Sequence, residues 1–449
     1  MRKYGMMLLL LAAANCWAQK DSLQNKLSFG MDVKFHGETC GGGLPKTAEG
    51  AVSSDDRSHF LLGQFRINAD YERPGLQVHA TLQNKAVWGT KDNAAVKLYE
   101  GWAKLTAKCG LFAQAGRVAL SYDDERIIGP NDFAMAALSH DVLRVGYEGH
   151  GHKAHAILAY NQNAENVYWS TYYVDGAKGY KTMQTLWYHY DVPSFPLGIS
   201  ALFMNVGLQA GKYIDVKGQV RPDPYESPRT EYQQMFGGYL NFHPEWMTFE
   251  ASYYRQTGQF VTMGYQSGPI RAWMASVTAS VKPFERYGFK AGYDHLSGDD
   301  YVPVIYKGGI GMVRHDVQRG FTPLYGSRST FYGILDFFYQ SAYINGFTPG
   351  LQDASFGLFG TPVDKLDCSA TYHYLSVGVD LENLDRTLGH SIELQASYSF
   401  AKDISLSLGY TLMFGTETMQ RLKQDEGDKQ AHWGWFTLSI SPSLFTTKW

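Results

Sequence analysis

Charged side chains recur at alternate positions within segments that are otherwise largely apolar. In a strand, residues two apart lie on one face, so an alternating segment can present apolar groups to lipid and charged groups to water. Charges that line a pore set its selectivity. The same charges can instead pair with one another and only rigidify the wall, and both interpretations stay open for each residue. By this parity the sequence predicts an inward position for Arg66, Lys85, Glu100, Lys104, Arg144, Glu250, Lys282, Lys290 and Asp294.

Patterns for catalysis and metal binding are weak. The sequence has no Gly-x-Ser-x-Gly, His-Glu-x-x-His or Gly-x-x-x-x-Gly-Lys motif, so the usual nucleophilic, zinc and phosphate-binding sites are not indicated. The run Asp-Asp-Glu at 123–125 can bind a divalent cation or form a solvated loop tip. We expect no enzymatic activity, no cofactor and no metal. An alternative, a membrane hydrolase, would use acids and His near outer strand ends, namely His140, Asp141, His295, Asp299 and Asp300.

The elements that would position these residues are strands. Residues 59–71 place Leu61, Phe65 and Ile67 on one face and polar residues on the other, and similar segments of about ten residues recur along the chain. We predict an all-β transmembrane antiparallel barrel of porin type with about eighteen strands, a size that leaves an aqueous channel. One of these strands is predicted near residues 329–340.

The connections between the predicted strands alternate between long and short. Outer-membrane barrels have this asymmetry, with short periplasmic turns and longer outer loops. One connection breaks the rule, because residues 341–366 should form a periplasmic turn yet are long and rich in Gly and Pro. Two interpretations remain open: a periplasmic plug loop that folds under the pore, or a missed strand pair.

Both ends of the chain indicate export to the outer membrane. Residues 1–18 have a basic start, an apolar run and a small-residue cleavage site, as in a secretory signal peptide. Residues 19–449 would then form a single barrel domain. The last strand alternates and the chain ends on Trp449, so we expect this strand to pair with the first and to be read by the barrel-assembly machinery. Trp433 and Trp435 belong to aromatic clusters that we assign to the membrane interface.

Composition excludes some classes of protein. The formal net charge of −3 offers no basic footprint for nucleic acid. Aromatic residues make up 15% of the chain and the mean hydropathy is −0.29, which is too polar for a helical membrane protein and permits a barrel.

Two stretches resemble the alginate export family of outer-membrane barrels. The first is Gly-Arg-Val-Ala-Leu-Ser-Tyr-Asp-Asp-Glu-Arg at 116–126, and the second combines 294–300 with a Tyr-Gly-x-x-Asp segment within 321–338. The resemblance implies an eighteen-stranded channel, an anionic polysaccharide substrate and a periplasmic plug. By position, the resemblance implies that Arg117 and Arg126 are basic residues of the pore lining. It also implies that Asp124 is the acidic pore-lining residue between them in the motif. The chain lacks that family's excess of basic residues, which weakens the expectation of a polyanion.

The sequence therefore predicts a cell outer-membrane channel for passive diffusion of a hydrophilic solute, including a saccharide or an anionic polysaccharide. Its expected surroundings are outer-membrane lipid, and a monomer is the default. The alternatives are an outer-membrane barrel enzyme that hydrolyses lipid or peptide, and a surface glycan-binding or structural barrel.

Overall fold

A computed structural model describes residues 24–42, 58–90, 95–133, 135, 137–161, 179–210, 213–216, 219–222, 229–261, 267–299, 305–306, 309–310, 317–327, 330–333, 348–381, 383–423 and 429–449. The predicted signal peptide lies outside these residues.

Eighteen strands of the described chain form one closed antiparallel barrel. Each strand pairs with the neighbours that precede and follow it in the barrel, and the first also pairs with the last. The strands are β1 (Lys26–Gly42), β2 (Ser58–Arg73), β3 (Leu76–Val87), β4 (Val96–Thr106), β5 (Leu111–Val118), β6 (His140–Gly149), β7 (His152–Tyr160), β8 (Thr182–Asp191), β9 (Leu197–Ala210), β10 (Arg229–Phe242), β11 (Met247–Val261), β12 (Ala272–Val281), β13 (Tyr287–Leu296), β14 (Leu351–Val363), β15 (Leu366–Ser376), β16 (Thr387–Ala401), β17 (Ile404–Gly415) and β18 (Gln430–Ile440).

The barrel closes where the sequence predicts. β18 pairs with the outer part of β1, and after a break at residues 441–442 the chain continues as Ser443–Lys448 and pairs with the beginning of β1. The backbone groups of Asn25 and Trp449 then bond to each other at 2.8 and 3.1 Å. Closure satisfies backbone groups that an open sheet would leave without partners in lipid.

Alternation places apolar side chains on the outside. In β2, Phe65 and Ile67 are exposed, whereas Gln64 and Arg66, which alternate with them, are buried within the barrel. The same pattern holds around the wall and produces an apolar outer belt. The fold is thus an outer-membrane-type barrel in which one face of each strand meets lipid and the other faces the lumen.

Connection lengths divide the two ends of the barrel. Every connection at one end is short, for example residues 74–75, 150–151 and 364–365, and we call this the periplasmic end. The longer connections lie at the opposite, outer end. They include the short strands Tyr213–Val216 with Gln219–Pro222, Ser267–Pro269, and Ile305–Tyr306 with Gly309–Ile310, and the helix α1 (Glu417–Lys423). No helix among the described residues is long and apolar enough to cross a membrane.

The structure differs from the sequence prediction in the position of the fourteenth strand, and it has no long periplasmic turn at residues 341–366. Residues 330–333 are not a strand, and the fourteenth strand is instead β14, which pairs with β13 and β15. The prediction of a periplasmic plug at 341–366 is therefore wrong for residues 351–363, which form a strand of the barrel wall. Residues 341–347 lie outside the described part of the chain. The long connection is a single outer one, 297–350. The strand predicted near residues 329–340 falls within this connection, and it is the reason why residues 341–366 were predicted to be a long periplasmic turn.

Candidate channel lumen

The inward face of β1 to β4 is polar and carries a three-membered charge cluster. Asp132, from the connection between β5 and β6, accepts hydrogen bonds from both terminal nitrogens of Arg66 at 2.6 and 3.0 Å. The Lys34 ammonium also donates to Asp132, at 2.7 Å. Arg66 is held from the other side by Gln83 at 2.8 Å, and its guanidinium lies 4.2 Å from the centre of the Tyr99 ring. One carboxylate thus restrains two cations in the lumen.

The connection from residue 119 to 139 folds into the barrel and is anchored there by Arg126. Arg126 is only 3% exposed. It forms ion pairs with Asp124 at 3.1 Å and Asp294 at 3.0 Å. It donates to Tyr332 at 2.9 Å and lies 4.0 Å from the centre of the Phe331 ring. Arg126 and Asp124, assigned to the pore lining by resemblance, therefore form a buried anchor between the inserted loop, β13 and a second outer segment.

The acidic run at 123–125 does not form a cation site. Asp123 accepts hydrogen bonds from Trp187 at 3.0 Å and Tyr254 at 3.2 Å, and burial raises the pKa of its carboxyl group. Glu125 accepts from Ser121 and Ser327 instead, so the neighbouring carboxylates point to different partners. No cluster of His, Cys, Asp and Glu able to hold a metal exists among the described residues.

Apolar residues fill one sector of the outer half of the barrel. The inward side chains of β5 to β18 there pack against the inserted loop and against residues 321–332. Ile128 of the loop and Tyr325 pair as a parallel bridge, which joins the two outer segments. Among the described residues, β1 to β4 contribute only the partly buried Trp102 to this cluster. The buried residues of this sector include Leu120, Ile127, Ile128, Met183, Met204, Met235, Met274, Leu296, Phe321, Leu351, Val377, Leu388 and Met413.

A cavity of about 590 Å³ occupies the periplasmic half of the lumen. Six Ser and Thr hydroxyls and the Gln395 amide line it, while Phe133, Phe359, Trp435 and other apolar atoms supply most of its surface. The other charged and polar residues that line it include Lys34, Asp132, Lys282, Arg286, Asp367, Ser369, Gln395, Ser397, Ser407, Thr437 and Ser439. The cavity therefore offers hydrogen-bond donors and acceptors with positive charges at its edge.

Most of the residues predicted by parity are on the inward face. Arg66 and Asp294 take part in the clusters described above, and Lys85 lies opposite the inward Gln64. Glu100 accepts a bond from the backbone N–H of residue 119 at 3.0 Å. The remaining contacts are Lys104 with Glu148 at 3.4 Å, Arg144 with Tyr122 at 3.1 Å, Glu250 with Tyr239 at 2.8 Å, and Lys290 opposite Ser280. The inward acids and bases thus largely pair with partners across the lumen wall.

Arg117 is the exception and corrects the resemblance. It shares its face with Leu111, which is exposed to the outside, and forms a bidentate ion pair with Asp141 at 2.8 and 2.9 Å. Asp141 in turn shares a face with the exposed Leu143. The prediction that Arg117 lines the pore is therefore wrong: strand parity, with Ala113 and Ala115 on the same face, indicates the outer surface.

The aromatic residues at the end of the chain also needed correction. Trp433 and Trp435 face the lumen and pack against Phe133, whose ring centre is 5.0 Å from that of Trp435. A Cβ atom on Gly409 would lie 2.2 Å from the Trp435 indole, so a glycine is needed for the ring to lie against the wall. The prediction that Trp433 and Trp435 lie at the membrane interface is therefore wrong. The sequence did carry a signal for the inward position, because both residues share strand parity with the polar Thr437.

The residues of the hydrolase alternative do not converge. Asp299 accepts backbone hydrogen bonds from residues 319, 320 and 348 and so shapes a loop. His295 stacks on Trp273 on the outer face, and His140 bonds to Tyr180. Asp300 lies outside the described residues.

The sequence matches no family model, and a search of curated proteins found no match. Solved structures do match over nearly the whole chain. OpdQ of Pseudomonas aeruginosa is 12% identical with a TM-score of 0.57 and 98% of its chain covered. OccK9 (OpdG) of the same organism is 12% identical, with a TM-score of 0.59 and 98% covered. OccAB1 of Acinetobacter baumannii is 11% identical, with a TM-score of 0.57 and 97% covered.

Each of these alignments covers 93% of this chain. The matched structures are closed barrels of the outer-membrane porin type. At such low identity the comparisons show the fold, and they do not extend to the alginate export family. The chain has the closed eighteen-stranded fold of an outer-membrane porin, and this fold agrees with the predicted location in the outer membrane.

Proposed function

We propose that this protein is a channel for passive diffusion of small hydrophilic solutes across the outer membrane. The observation that carries the proposal is a closed barrel whose apolar outer belt surrounds a polar inner face on β1 to β4 and a cavity of about 590 Å³ lined by hydroxyl and charged groups. Such a barrel leaves water in its lumen unless loops fill it. Transport down a gradient needs no cofactor, only contacts weak enough for the solute to leave.

The route we propose is eccentric. Loops and apolar side chains occupy the outer half next to β5 to β18, so a solute would enter along the polar face of β1 to β4. It would pass the cluster of Lys34, Arg66 and Asp132 and then reach the periplasmic cavity, which these charges border. The inserted loop sets the width of this route because Asp132 and Arg126 bind it to opposite parts of the wall.

The free charges along the route favour anions. Lys282, which lines the cavity, and Lys290 are exposed, and neither forms an ion pair with any residue that the structure describes. Among the acids that line the cavity, Asp367 also has no ion pair with a described residue and bonds only to Thr361, so the free lysines outnumber this free acid. In contrast, the inward acids Asp132 and Asp294 are neutralised by arginines. Unpaired lysines lower the energy of a passing anion and raise that of a cation.

The finer proposal is an anionic saccharide, as the resemblance to alginate export proteins suggested. Supporting it, the cavity combines six hydroxyl groups and one amide with three aromatic rings and nearby lysines. Sugar hydroxyls can bond to the polar groups, apolar sugar faces can lie on the rings, and a carboxylate can meet the lysines.

Planar-bilayer recording of the purified protein tests the function. We expect ohmic channels with a reversal potential that indicates anion preference in a KCl gradient. The variant Lys282→Gln/Lys290→Gln should move the preference toward cations. Lys365→Gln/Lys402→Gln removes the same charge from periplasmic turns and should leave it unchanged. Absence of conductance would refute the channel and favour a structural or glycan-binding barrel.

We further propose that the barrel-assembly machinery recognises the closing strand that ends in Trp449. The ring of this residue is 59% exposed at the periplasmic end. Deletion of Trp449 should reduce the amount of assembled barrel, measured by the heat-modifiable mobility of the membrane fraction. Substitution of the equally exposed Trp246, which lies in a turn, is the control.

A further inference from the structure

Two unpaired arginines project from the outer surface of the barrel near its outer end. Tyr254 and Ala272 are each 1% exposed and face the lumen. The alternate residues Arg255 and Arg271 therefore face outward, and both are exposed. Arg255 lies opposite Trp273, and the same register places Arg271 one diagonal step away, which corresponds to about 7 to 8 Å between Cα atoms. Among the residues that the structure describes, neither guanidinium has a hydrogen-bond or ion-pair partner.

A row of aromatic rings marks the membrane interface directly beside these arginines. Trp273 stacks on His295 with ring centres 4.5 Å apart, and Tyr253 stacks on Trp273 at 6.2 Å. Trp273 and Tyr253 are exposed on the outer face. Because Trp and Tyr rings concentrate at the level of the headgroups, this row places Arg255 at that level and Arg271 one step farther out.

A strip of amide side chains continues the polar surface across neighbouring strands. Gln234 donates to Asn205 at 2.8 Å, and Asn205 donates to Gln184 at 2.7 Å. All three share a face with exposed apolar residues such as Phe203 and Phe236, so they also face outward. Gln234 lies opposite Thr257, and one step beyond the last pair of β11 and β12 the same register places Thr257 across from Arg271. The strip therefore leads to the two arginines.

We propose that this outer surface of β8 to β12 binds the phosphorylated headgroup of a glycolipid in the outer leaflet. An unpaired arginine is strongly disfavoured within hydrocarbon but is tolerated at the interface. A phosphate is the complement that satisfies two guanidinium groups through charge-assisted, bidentate bonds. The amide strip offers further bonds to sugar hydroxyls of the same headgroup.

The outward-facing Arg117 differs from Arg255 and Arg271 because it forms an ion pair with Asp141. Its guanidinium is already bound by a carboxylate on the neighbouring strand, so it needs no anion from the lipid. Within the described part of the chain, Arg255 and Arg271 have no such acid beside them, which is why the phosphate is expected on their arc of the barrel and not around the whole rim.

Native mass spectrometry of the purified full-length protein in mild detergent tests the proposal, with diphosphorylated lipid A as the probe. We expect one lipid retained per barrel, and Arg255→Gln/Arg271→Gln should weaken retention at least about tenfold, since each basic residue near a charged headgroup contributes a substantial part of the affinity. Each single variant should give an intermediate loss. The control Arg286→Gln removes the same charge at the periplasmic end and should retain lipid as the wild type does.

Two further arms separate the alternatives. Equal retention of dephosphorylated lipid A, or unchanged retention by the double variant, would overturn the proposal. Displacement of the lipid by millimolar inorganic phosphate would show a site for free anions and would also overturn it. A wild-type oligomer that the double substitution dissociates would identify a second copy as the occupant. Heat-modifiable mobility confirms that each variant is folded.

Discussion

Asp132→Asn is the sharpest test of how the inserted loop controls the lumen. The substitution keeps the size of the side chain and removes the charge that Lys34 and Arg66 share at 2.7 and 2.6 Å. Arg66 retains its bond to Gln83 and its contact with Tyr99, so the cations should stay in place. The main expected effect is therefore that the lumen loses one negative charge while the positive charges of Lys34 and Arg66 remain.

Its magnitude follows from the geometry. A mobile ion that passes about 5 Å from the uncompensated charge changes in energy by about 0.8 kcal/mol in a water-like dielectric, which is about a fourfold factor for that ion. Anions and cations change in opposite directions, so their permeability ratio should change by about 16-fold. The side chains of Arg66, Lys34 and Asp132 are 9%, 23% and 28% exposed. This partial burial predicts a loss of about 1 to 3 kcal/mol of stability, below the cost of breaking a fully buried pair.

The assay is the reversal potential in a KCl gradient together with the thermal unfolding temperature. Asp132→Asn should increase the anion-to-cation permeability ratio by about 16-fold and unfold at a lower temperature. Asp403→Asn is the matched control, since it removes an exposed acid from a periplasmic turn that does not line the cavity. If Asp132→Asn leaves the reversal potential unchanged while Lys34→Gln shifts it, the carboxylate does not neutralise the route and the reasoning fails.

Three further outcomes are expected. Arg126→Met should cost about 3 to 5 kcal/mol, because Asp294 is left as a buried charge without its cation; the unfolding temperature measures this loss, and the double variant with Asp294→Asn should recover part of it. Gly409→Ala should displace the indole of Trp435, seen as a red shift and quenching of tryptophan fluorescence, because a Cβ would lie 2.2 Å from the ring. Burial would raise the pKa of Asp132, but the hydrogen bonds and charges of its two cations outweigh burial and lower it. The stability advantage of wild type over Asp132→Asn should therefore persist at neutral pH and decline only as the pH falls below about 4, where the unfolded carboxyl begins to protonate.

Strand parity predicted most of the barrel because the environment of each face is uniform along most strands. In β2, polar residues such as Gln64 and Arg66 alternate with Phe65 and Ile67, so the sequence determined both the strand and its inward face. Short turns at one end then indicated the order of the strands. The error at residues 329–340 arose because Phe331 and Tyr332 pack on Arg126 inside the barrel, and loop residues that pack against the lumen wall show the same apolar pattern as a strand.

The candidate site was less predictable because its central contacts join distant segments. Lys34 and Asp132 are 98 residues apart, and Asp132 and Arg66 are 66 apart. A single sequence carries no signal that the connection at 119–139 turns inward. The resemblance assigned Arg117 and Arg126 the same role, yet one lies on the outer face and the other is buried. Where parity and resemblance disagreed at Arg117, parity was correct, since a lipid-facing neighbourhood is a physical constraint.

Inward apolar residues carry information about the route that alternation alone conceals. Met204 has no exposed surface, although it lies beside the outward Phe203, so this part of β9 is apolar on both faces. Methionine adapts its shape to irregular surfaces, as packing against a folded loop requires. Inward methionines occur at similar positions on β8, β10, β12 and β17 and at no described position in the lumen wall of β1 to β4. A strand that is apolar on both faces in its outer half thus indicates a sector filled by loops, and a strand that stays polar inside indicates the sector left open to water.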